Sequence, residues 1–283
     1  MTIREALLKG INYLKDLEYT NPIYESRKIL AELLEKDLSY LIAHDDEKLN
    51  KSDEKLNKSI EDKYFNILEK RREGYPLQYI LACEDFYGRR FDVLEDVLIP
   101  RQDTELSIEV LLDIIKNNKI NNMLEIGCGT GIVSITIDLE SDIDVTGLDI
   151  SPQAIKNTTI NKNKFNSNIK IIESDLFDKV NDKFDIIYSN PPYIKTKEIE
   201  NLQVEVREHE PRLALDGGED GLVFYRKIVK ESKDYLKENG FLIFEIGYDE
   251  GNEVLQLMKD KFDVKIHKDL NNFDRVVVGR LKV

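Results

Sequence analysis

The sequence of 283 residues contains only two cysteines and three histidines. Cys83 and Cys128 are far apart and offer no paired ligand spacing, and the histidines form no helical ligand motif. We therefore expect neither a disulfide framework nor a structural zinc site, and no metal cofactor.

A long apolar run is also missing. No stretch reaches the roughly 18 to 20 apolar residues that span a bilayer. The amino-terminal stretch is amphipathic and charged, without the apolar core of a signal peptide. We expect a cytoplasmic protein with no membrane partner.

Positive charge is in short supply, because 41 Lys and Arg residues face 55 Asp and Glu residues, for a formal net charge of -14. A field of this sign repels polyphosphate and argues against a broad basic surface for nucleic acid, although a local basic groove remains open. The composition favours a protein or small-molecule substrate, and we expect no stable nucleic-acid partner.

The length favours one large domain and a smaller one. Residues 1–84 are predicted to form a small helical domain, because apolar residues recur at helical spacing, as at Ile3, Leu7, Ile11 and Leu14. A tandem duplication of DEKLNKS at residues 46–59 is polar, and we interpret it as a solvated helical or loop insert without a binding role.

Residues 85–102 are predicted to form a β-hairpin linker with turns around Gly88 and around Glu95-Asp96, and residues 103–283 the larger domain. A helix is expected to start near Asp103 or Thr104. Strand-like runs then alternate with helical ones, which is typical of a doubly wound, mostly parallel α/β sheet. The runs begin at Met123, Ile143, Ile169, Phe184, Phe241, Phe262 and Asp274.

The last two runs are separated by a short polar stretch and should pair antiparallel at one edge. Doubly wound sheets bind ligands beyond the carboxyl ends of their strands. We therefore expect the chemistry in the loops after Glu125, Asp149, Ser174 and Ser189.

The first of these loops is rich in glycine and lies between a strand and a helix. Its spacing is G-x-G-x-G, which differs from the dinucleotide fingerprint but allows a tight turn and close approach of a ligand. A turn that only packs the helix is the structural alternative. The loop comprises Gly127, Cys128, Gly129, Thr130 and Gly131.

Acidic residues at the strand ends support a cofactor site. Asp149 ends the second strand, where a carboxylate can accept hydrogen bonds from both hydroxyls of a ribose. Together with Glu125, this pattern resembles the S-adenosylmethionine-dependent methyltransferases. The resemblance implies that Glu125 lies near the methionine amino group and that adenine packs near Asp175 and Leu176; alone, Asp175 could equally be a solvated loop acid.

The tetrapeptide Asn190-Pro191-Pro192-Tyr193 follows the fourth strand. Two prolines fix φ and remove two backbone donors, so nearby carbonyls can face a ligand. An amide nitrogen is a poor nucleophile and must be held in line, roughly 3 to 3.5 Å from the methyl group that it attacks. The Asn190 oxygen and the Pro191 carbonyl can accept its N–H bonds, and the Tyr193 ring can cover its plane. A rigid turn without catalytic function is the alternative.

Further motifs extend over essentially the whole chain. They are GYPLQYI from Gly74, DFYGRRFDV from Asp85, VLIPRQDTE from Val97, HEPRLALDGGEDGL from His209 and DRVVVGR from Asp274. These motifs are similar to those of the release-factor glutamine methyltransferases. The resemblance implies a seven-stranded Rossmann-like methyltransferase sheet. It also implies methyl transfer from S-adenosylmethionine to the glutamine N5 of the Gly-Gly-Gln motif in class-I peptide chain release factors, with the helical domain docking that partner.

The resemblance also assigns site residues. Catalysis falls to Asn190, Pro191 and Tyr193, and the substrate would meet Asn190 to Tyr193 with Arg101 and Glu105. The cofactor would bind Glu125, the loop Gly127 to Gly131, Asp149, Ile150, Asp175, Leu176 and Asn190. The segment from Glu210 to Leu215 is either a loop beside the active site or purely structural.

Two other functions remain open from the sequence. NPPY also occurs in methyltransferases that act on amino groups of nucleic-acid bases, but such an enzyme needs a base-flipping pocket and a target-recognition region. A cofactor-binding interaction module without catalysis is the third hypothesis, and an intact NPPY argues against it.

Overall fold

The computed structural model describes residues 1–49 and 59–282. Their contacts define two compact units. The helical unit comprises Met1–Ala82 and Gln203–His209, and the sheet unit comprises Cys83–Leu202 and Glu210–Val283. Residues 50–58, which include most of the duplicated heptads, lie outside the described residues, so our interpretation of the duplication stays a prediction. No helix in the described part is long and apolar enough to cross a membrane.

The helical unit contains six helices within its described residues. They are α1 (Ile3–Leu14), α2 (Pro22–Leu34), α3 (Leu38–Ala43), α4 (Ile60–Arg72), α5 (Leu77–Leu81) and α9 (Val204–His209). Capping boxes begin α1, between Thr2 and Glu5, and α4, between Ser59 and Asp62. The apolar spacing from Ile3 to Leu14 predicted α1, whereas α3, α5 and α9 are too short for a helical period to show.

The core of the helical unit is built around α4. Tyr64 and Leu68 are fully buried, and Tyr64 lies so close to Gly10 of α1 that a side chain at that position would collide with its ring. Arg71, one turn further along α4, is also buried; its guanidinium lies 2.7 Å from the carboxylate of Glu25 and 2.7 Å from that of Glu205. A buried charge needs such partners.

The sheet unit begins with a β-hairpin, β1 (Cys83–Phe86) and β2 (Arg89–Asp92), which pair antiparallel. Tyr87 and Gly88 form its turn with φ of 47° and 71°, as a two-residue turn with both central residues left-handed requires. The hairpin starts and ends earlier than the predicted one. Residues 93–99 are not paired as a strand, and the predicted turn at Glu95-Asp96 is present within this unpaired stretch, with Asp96 at φ 60°.

The remaining helices and strands of the sheet unit follow the hairpin in the chain. They are α6 (Thr104–Asn117), β3 (Asn122–Ile126), α7 (Ile132–Glu140), β4 (Asp144–Asp149), α8 (Pro152–Phe165), β5 (Lys170–Glu173), β6 (Phe184–Ser189), the 3₁₀ helix η1 (Thr196–Asn201), α10 (Arg212–Leu215), α11 (Val223–Tyr235), β7 (Leu236–Glu245), α12 (Gly251–Met258), β8 (Phe262–Lys268) and β9 (Asp274–Leu281).

Seven strands form one sheet in the order β5-β4-β3-β6-β7-β9-β8. The first five run parallel, and β9 pairs antiparallel with both β7 and β8. Helices cover both faces of the sheet, so that Met123 packs in one core and its neighbour Leu124 in the other. The prediction of a doubly wound seven-stranded sheet with a helical amino-terminal domain is confirmed.

The strand order places a crevice at the centre of this sheet. From β3 the chain moves outward through β4 and β5, and then returns to β6 on the other side of β3. The order therefore reverses between β3 and β6, and a ligand crevice opens beyond the carboxyl ends of these strands.

Candidate active site

A cavity of about 320 Å³ lies at this reversal point. The size and the position of the cavity suit a small-molecule ligand. Thirteen of the residues that the sequence assigned to the site line this cavity. They are Arg101, Glu125, Gly127, Cys128, Gly129, Thr130, Asp149, Ile150, Asp175, Leu176, Asn190, Pro191 and Pro192. Within the described residues, Glu105, Gly131 and Tyr193 lie outside this lining.

The three glycines of the loop after β3 have different structural roles. All three are left-handed, with φ of 78°, 57° and 82° at Gly127, Gly129 and Gly131. A Cβ atom at Gly127 or Gly129 would meet no atom within 4 Å, whereas one at Gly131 would lie 2.8 Å from a methyl group of Thr158. Gly127 and Gly129 thus leave open space for a ligand beside the backbone, and Gly131 packs α7 against α8.

Asp149 ties the glycine loop to the end of β4. Its carboxylate accepts hydrogen bonds from the backbone N–H groups of Gly129 and Ser151, each at 2.9 Å. Burial raises the pKa of Asp149, and these backbone donors oppose the shift. A carboxylate has about four acceptor sites, so capacity remains for hydroxyl donors of a ligand.

Glu125 is the most deeply buried acid of the cavity wall. Its carboxylate accepts hydrogen bonds from the backbone N–H of Ser134, at 2.8 Å, and from the Ser134 hydroxyl. Burial raises the pKa of Glu125 to about 8, and the two bonds from Ser134 act in the opposite direction. A cationic ligand group in the cavity would favour the ionised form and return this pKa toward its usual range.

Asn190 follows β6 and faces the same cavity. Its side-chain nitrogen Nδ2 donates a hydrogen bond to Oε1 of Glu245 at 2.7 Å. Since a carboxylate oxygen only accepts, this contact determines which way round the amide lies. Nδ2 keeps a second N–H, and the oxygen Oδ1 is the acceptor that Asn190 can offer the cavity.

Tyr193 follows the cavity-lining residues Pro191 and Pro192 and packs beside the cavity. A Cβ atom at Gly247 would lie 3.3 Å from its ring, and one at Gly217 would lie 2.7 Å from its Cα. One edge of the ring therefore packs against the chain after β7, and Tyr193 is not among the residues that line the cavity. That its ring covers the planar amide of the substrate stays a prediction. Burial raises the pKa of Tyr193 to about 12, so the phenol stays protonated at neutral pH.

Of the two residues that were assigned to the substrate from this segment, Arg101 lines the cavity and Glu105 does not. Arg101 lines the cavity and forms an ion pair with Glu210, whose other oxygen accepts a hydrogen bond from the backbone N–H of Ile99 at 3.2 Å. Glu105 instead accepts a hydrogen bond from the backbone N–H of Tyr87 at 3.0 Å and so holds the hairpin turn. A contact of Glu105 with the substrate stays a prediction.

The segment after Glu210 is part of the cavity wall. Pro211, Leu213 and Ala214 line it, and Leu213 keeps 54% of its surface exposed at the rim. Of the two readings of this segment from the sequence, the structure therefore favours a loop beside the site. Phe224 and Lys227 of α11 also line the cavity, although no sequence motif singled them out.

Glu245, at the end of β7, is the main residue that sequence reasoning missed. It is buried and accepts hydrogen bonds from four side chains, which are those of Thr104, Ser107, Tyr188 and Asn190. The available signal was an acid at the carboxyl end of a buried parallel strand, the same signal that had pointed to Glu125 and Asp149. Within the described residues, no group of His, Cys, Asp or Glu side chains is placed to hold a metal ion.

Two families of protein domains match the chain. The family described as the PrmC N-terminal domain matches residues 5–81, and the one described as the methyltransferase small domain matches residues 101–223. Among solved structures, a methyltransferase from Pyrococcus furiosus is 16% identical, with a TM-score of 0.53 over 76% of this chain and all of the other. A 16S rRNA N2 G1207 methyltransferase from T. thermophilus is 15% identical, with a TM-score of 0.52 over 71% of this chain and 50% of the other. These structural likenesses concern the fold alone.

The matched methyltransferase domain indicates the class of the protein, and relatives of nearly full length confirm that it is a methyltransferase. These relatives also narrow the class. A release factor glutamine methyltransferase of Clostridium acetobutylicum is 37% identical over 99% of this chain and 98% of its own length. Another, of Fusobacterium nucleatum, is 39% identical over 96% of this chain and 77% of its own length. The chain belongs to the release factor glutamine methyltransferase family.

Proposed function

We propose that the protein transfers a methyl group from S-adenosylmethionine to the side-chain amide nitrogen N5 of a glutamine, the one in the Gly-Gly-Gln motif of class-I peptide chain release factors. The observation that carries this proposal is the Asn190 amide, which lies at the cavity with its nitrogen bonded to Glu245 and its oxygen left as an acceptor. An N–H bond of a glutamine amide is the donor that this oxygen suits.

The residues of the cavity fit S-adenosylmethionine. Gly127 and Gly129 leave open space beside the backbone, Asp149 can accept from ribose hydroxyls, and Glu125 suits a cationic amino group. Ile150, Asp175 and Leu176 line the part of the cavity where the family likeness puts adenine. When bound, the cofactor would supply an electrophilic methyl group on its sulfonium sulfur. Loss of that methyl group leaves the neutral thioether of S-adenosylhomocysteine.

The protein's own contribution is position and electrostatics. Asn190 Oδ1 accepts one amide N–H, and the rigid Pro191-Pro192 segment provides a fixed backbone wall on which the Pro191 carbonyl is the candidate acceptor for the other. With both N–H bonds directed at acceptors, the nitrogen is held in line with the methyl group. The surplus proton of the methylated amide is acidic and passes to water.

We also infer that the helical unit docks the release factor. It presents apolar side chains to solvent, with exposed fractions of 58% for Leu8, 53% for Ile23 and 66% for Ile42. A protein partner can bury such side chains, whereas the phosphate backbone of a nucleic acid binds cationic ones. Ile42→Asp should raise the KM for the release factor with little change in kcat, whereas a short glutamine peptide should be methylated as by the parent protein.

Product mapping tests the proposed reaction. Release factor is incubated with the protein and S-adenosylmethionine, and the methylated residue is located by tandem mass spectrometry. We expect one methyl group on the glutamine of Gly-Gly-Gln, and none on a factor in which that glutamine is replaced by glutamate. Methylation of ribosomal RNA or DNA amino groups instead, with the release factor unmodified, would overturn the proposal.

A further inference from the structure

We infer that Glu245 is a positioning residue for methyl transfer: its carboxylate holds the Asn190 side chain with Nδ2 turned away from the cavity, so that Oδ1 faces the substrate amide. The inference rests on the proposed function for the identity of the substrate. It adds a residue that no motif of the site contains.

The carboxylate of Glu245 accepts a hydrogen bond at each of its acceptor sites. Oε1 accepts from Thr104 Oγ1 at 3.1 Å and from Asn190 Nδ2 at 2.7 Å, and Oε2 accepts from Ser107 Oγ at 3.0 Å and from Tyr188 Oη at 3.1 Å. Four donors match the roughly four acceptor sites of an ionised carboxylate. Glu245 therefore has one well-defined position, supported from α6 and β6.

This arrangement decides the direction of the Asn190 amide. An asparagine side chain has a donor end and an acceptor end of nearly equal size, and steric fit alone cannot tell them apart. Burial raises the pKa of Glu245, and the hydroxyl donors of Thr104, Ser107 and Tyr188 oppose that shift and favour the ionised form. An ionised carboxylate only accepts, so the NH2 end of Asn190 faces it. The reversed amide would set Oδ1 against a carboxylate oxygen and would point two N–H donors at the donors of the substrate.

Glu245 acts through Asn190 and not on the substrate. It is buried with 4% of its surface exposed and does not line the cavity, while Asn190 does. Preorganised hydrogen-bonding groups contribute to catalysis mainly through correct orientation before the reaction begins. Loss of Glu245 should therefore lower kcat, whereas binding of S-adenosylmethionine and the KM for the release factor should change little.

The first experiment compares Glu245→Leu with Glu245→Gln. Leucine removes the acceptor, and we expect kcat to fall about 100-fold, in the range seen when one preorganised hydrogen-bonding group is lost. The glutamine side chain can keep its oxygen toward Asn190 and turn its NH2 toward the hydroxyls of Ser107 and Tyr188. It should therefore be at least about tenfold faster than the leucine variant. Glu253→Gln, on the exposed face of α12, is the matched control and should behave as the parent protein.

A swap of the amide and the carboxylate between positions 190 and 245 tests the orientation of the Asn190 side chain directly. It does not depend on how Glu245→Leu folds. Asn190→Asp alone puts two carboxylates in contact, and at alkaline pH their repulsion should displace the acceptor. In the double variant Asn190→Asp with Glu245→Gln, the introduced glutamine donates to the introduced aspartate, which still offers an oxygen to the substrate. We expect the double variant to be at least about tenfold faster than Asn190→Asp.

A substrate-free readout separates this inference from the proposed function. The side-chain NH2 signals of Asn190 are assigned in ¹⁵N-asparagine-labelled protein by their loss in Asn190→Asp. Their hydrogen exchange should be slow in the parent protein and at least about tenfold faster in Glu245→Leu. If the parent protein methylates no release factor, the proposed function fails, and this measurement alone decides the orientation.

Three results would overturn the inference: a Glu245→Leu variant with the parent kcat, an exchanged double variant no faster than Asn190→Asp while both bind S-adenosylmethionine, or unchanged exchange of the Asn190 NH2 group in Glu245→Leu. The expected pattern is a fall in kcat, recovery on exchange of the two groups and faster hydrogen exchange.

Discussion

The guanidinium of Arg101 lies 2.6 Å, from Nη2 to Oε1, from the carboxylate of Glu210, whose side chain is only 1% exposed. The two residues are far apart in the sequence, and both belong to segments that line the cavity. Arg101 follows the extended chain after the hairpin, and Glu210 precedes Pro211, Leu213 and Ala214 in the wall. The pair therefore holds two parts of the cavity wall together.

Arg101→Ala should weaken that wall. It leaves a buried carboxylate without its cation, and because the Arg101 side chain is 38% exposed, we expect a loss of about 1–3 kcal/mol in the free energy of unfolding. The value of kcat/KM for the release factor should also fall, because Leu213 and Ala214 lose their support. Urea denaturation and steady-state methylation measure the two effects.

A matched control for this variant is Arg226→Ala, which breaks an exposed ion pair with Asp220. Exposed pairs contribute roughly 0–1 kcal/mol, so stability and kcat/KM should stay close to those of the parent protein. Equal losses in the two variants would show that burial of Glu210 has no special effect.

Arg71 gives a second prediction, confined to the helical unit. Arg71→Met leaves Glu25 and Glu205 without their shared buried cation, and removal of one partner from such a group costs about 3–5 kcal/mol. Hydrogen exchange of α2 and α4 should accelerate in the variant. Arg4→Ala, which breaks an exposed contact with Asp45, is the control and should leave that exchange unchanged. Hydrogen exchange of α2 and α4 that stays slow in Arg71→Met would refute the view that Arg71 stabilises the helical unit.

The raised pKa of Glu125 predicts that binding of the cofactor is coupled to loss of the Glu125 proton. With its pKa raised to about 8, Glu125 is largely protonated at pH 7 in the cofactor-free protein. A cationic amino group bound nearby favours the carboxylate, so S-adenosylmethionine should release a proton on binding, and its affinity should rise with pH from about 6 to 8. Calorimetry in buffers of different ionisation enthalpy measures the proton count.

The same shift affects folding with a definite sign. The folded protein retains the Glu125 proton up to a pH of about 8, whereas the unfolded chain loses it near its ordinary pKa of 4.5. The contribution of Glu125 to stability therefore falls as pH rises between these values. Glu125→Gln should lack both this dependence and the proton release, and Glu253→Gln should keep both. Proton release that persists in Glu125→Gln would assign the linkage to another group.

The sequence predicted those features that depend on local pattern. Alternating strands and helices indicated the doubly wound sheet, and strand ends indicated where Glu125, Asp149 and Asn190 meet, because parallel strands end at one edge. The glycine loop was equally local, although the separate task of Gly131 depends on its contact with Thr158 of α8.

Residues whose direction depends on distant contacts could not be predicted. The backbone of Tyr193 lies close to Gly217 and Gly221 and its ring lies close to Gly247, and these glycines come later in the chain. Glu245 meets Asn190 only through the pairing of β6 with β7. Glu105 looked like a site residue by its place in a motif, and its hydrogen bond to the Tyr87 backbone arises from the packing of the hairpin on α6.

The measurement that tests the central claim most directly is single-turnover methylation of release factor by Asn190→Ala, alongside calorimetric binding of S-adenosylmethionine. If the Asn190 oxygen holds the substrate amide, the rate of methyl transfer to the Gly-Gly-Gln glutamine should fall by about 100- to 1,000-fold or more. The affinity for the cofactor should stay within about threefold of the parent value. Methyl transfer by Asn190→Ala at the parent rate would contradict the account.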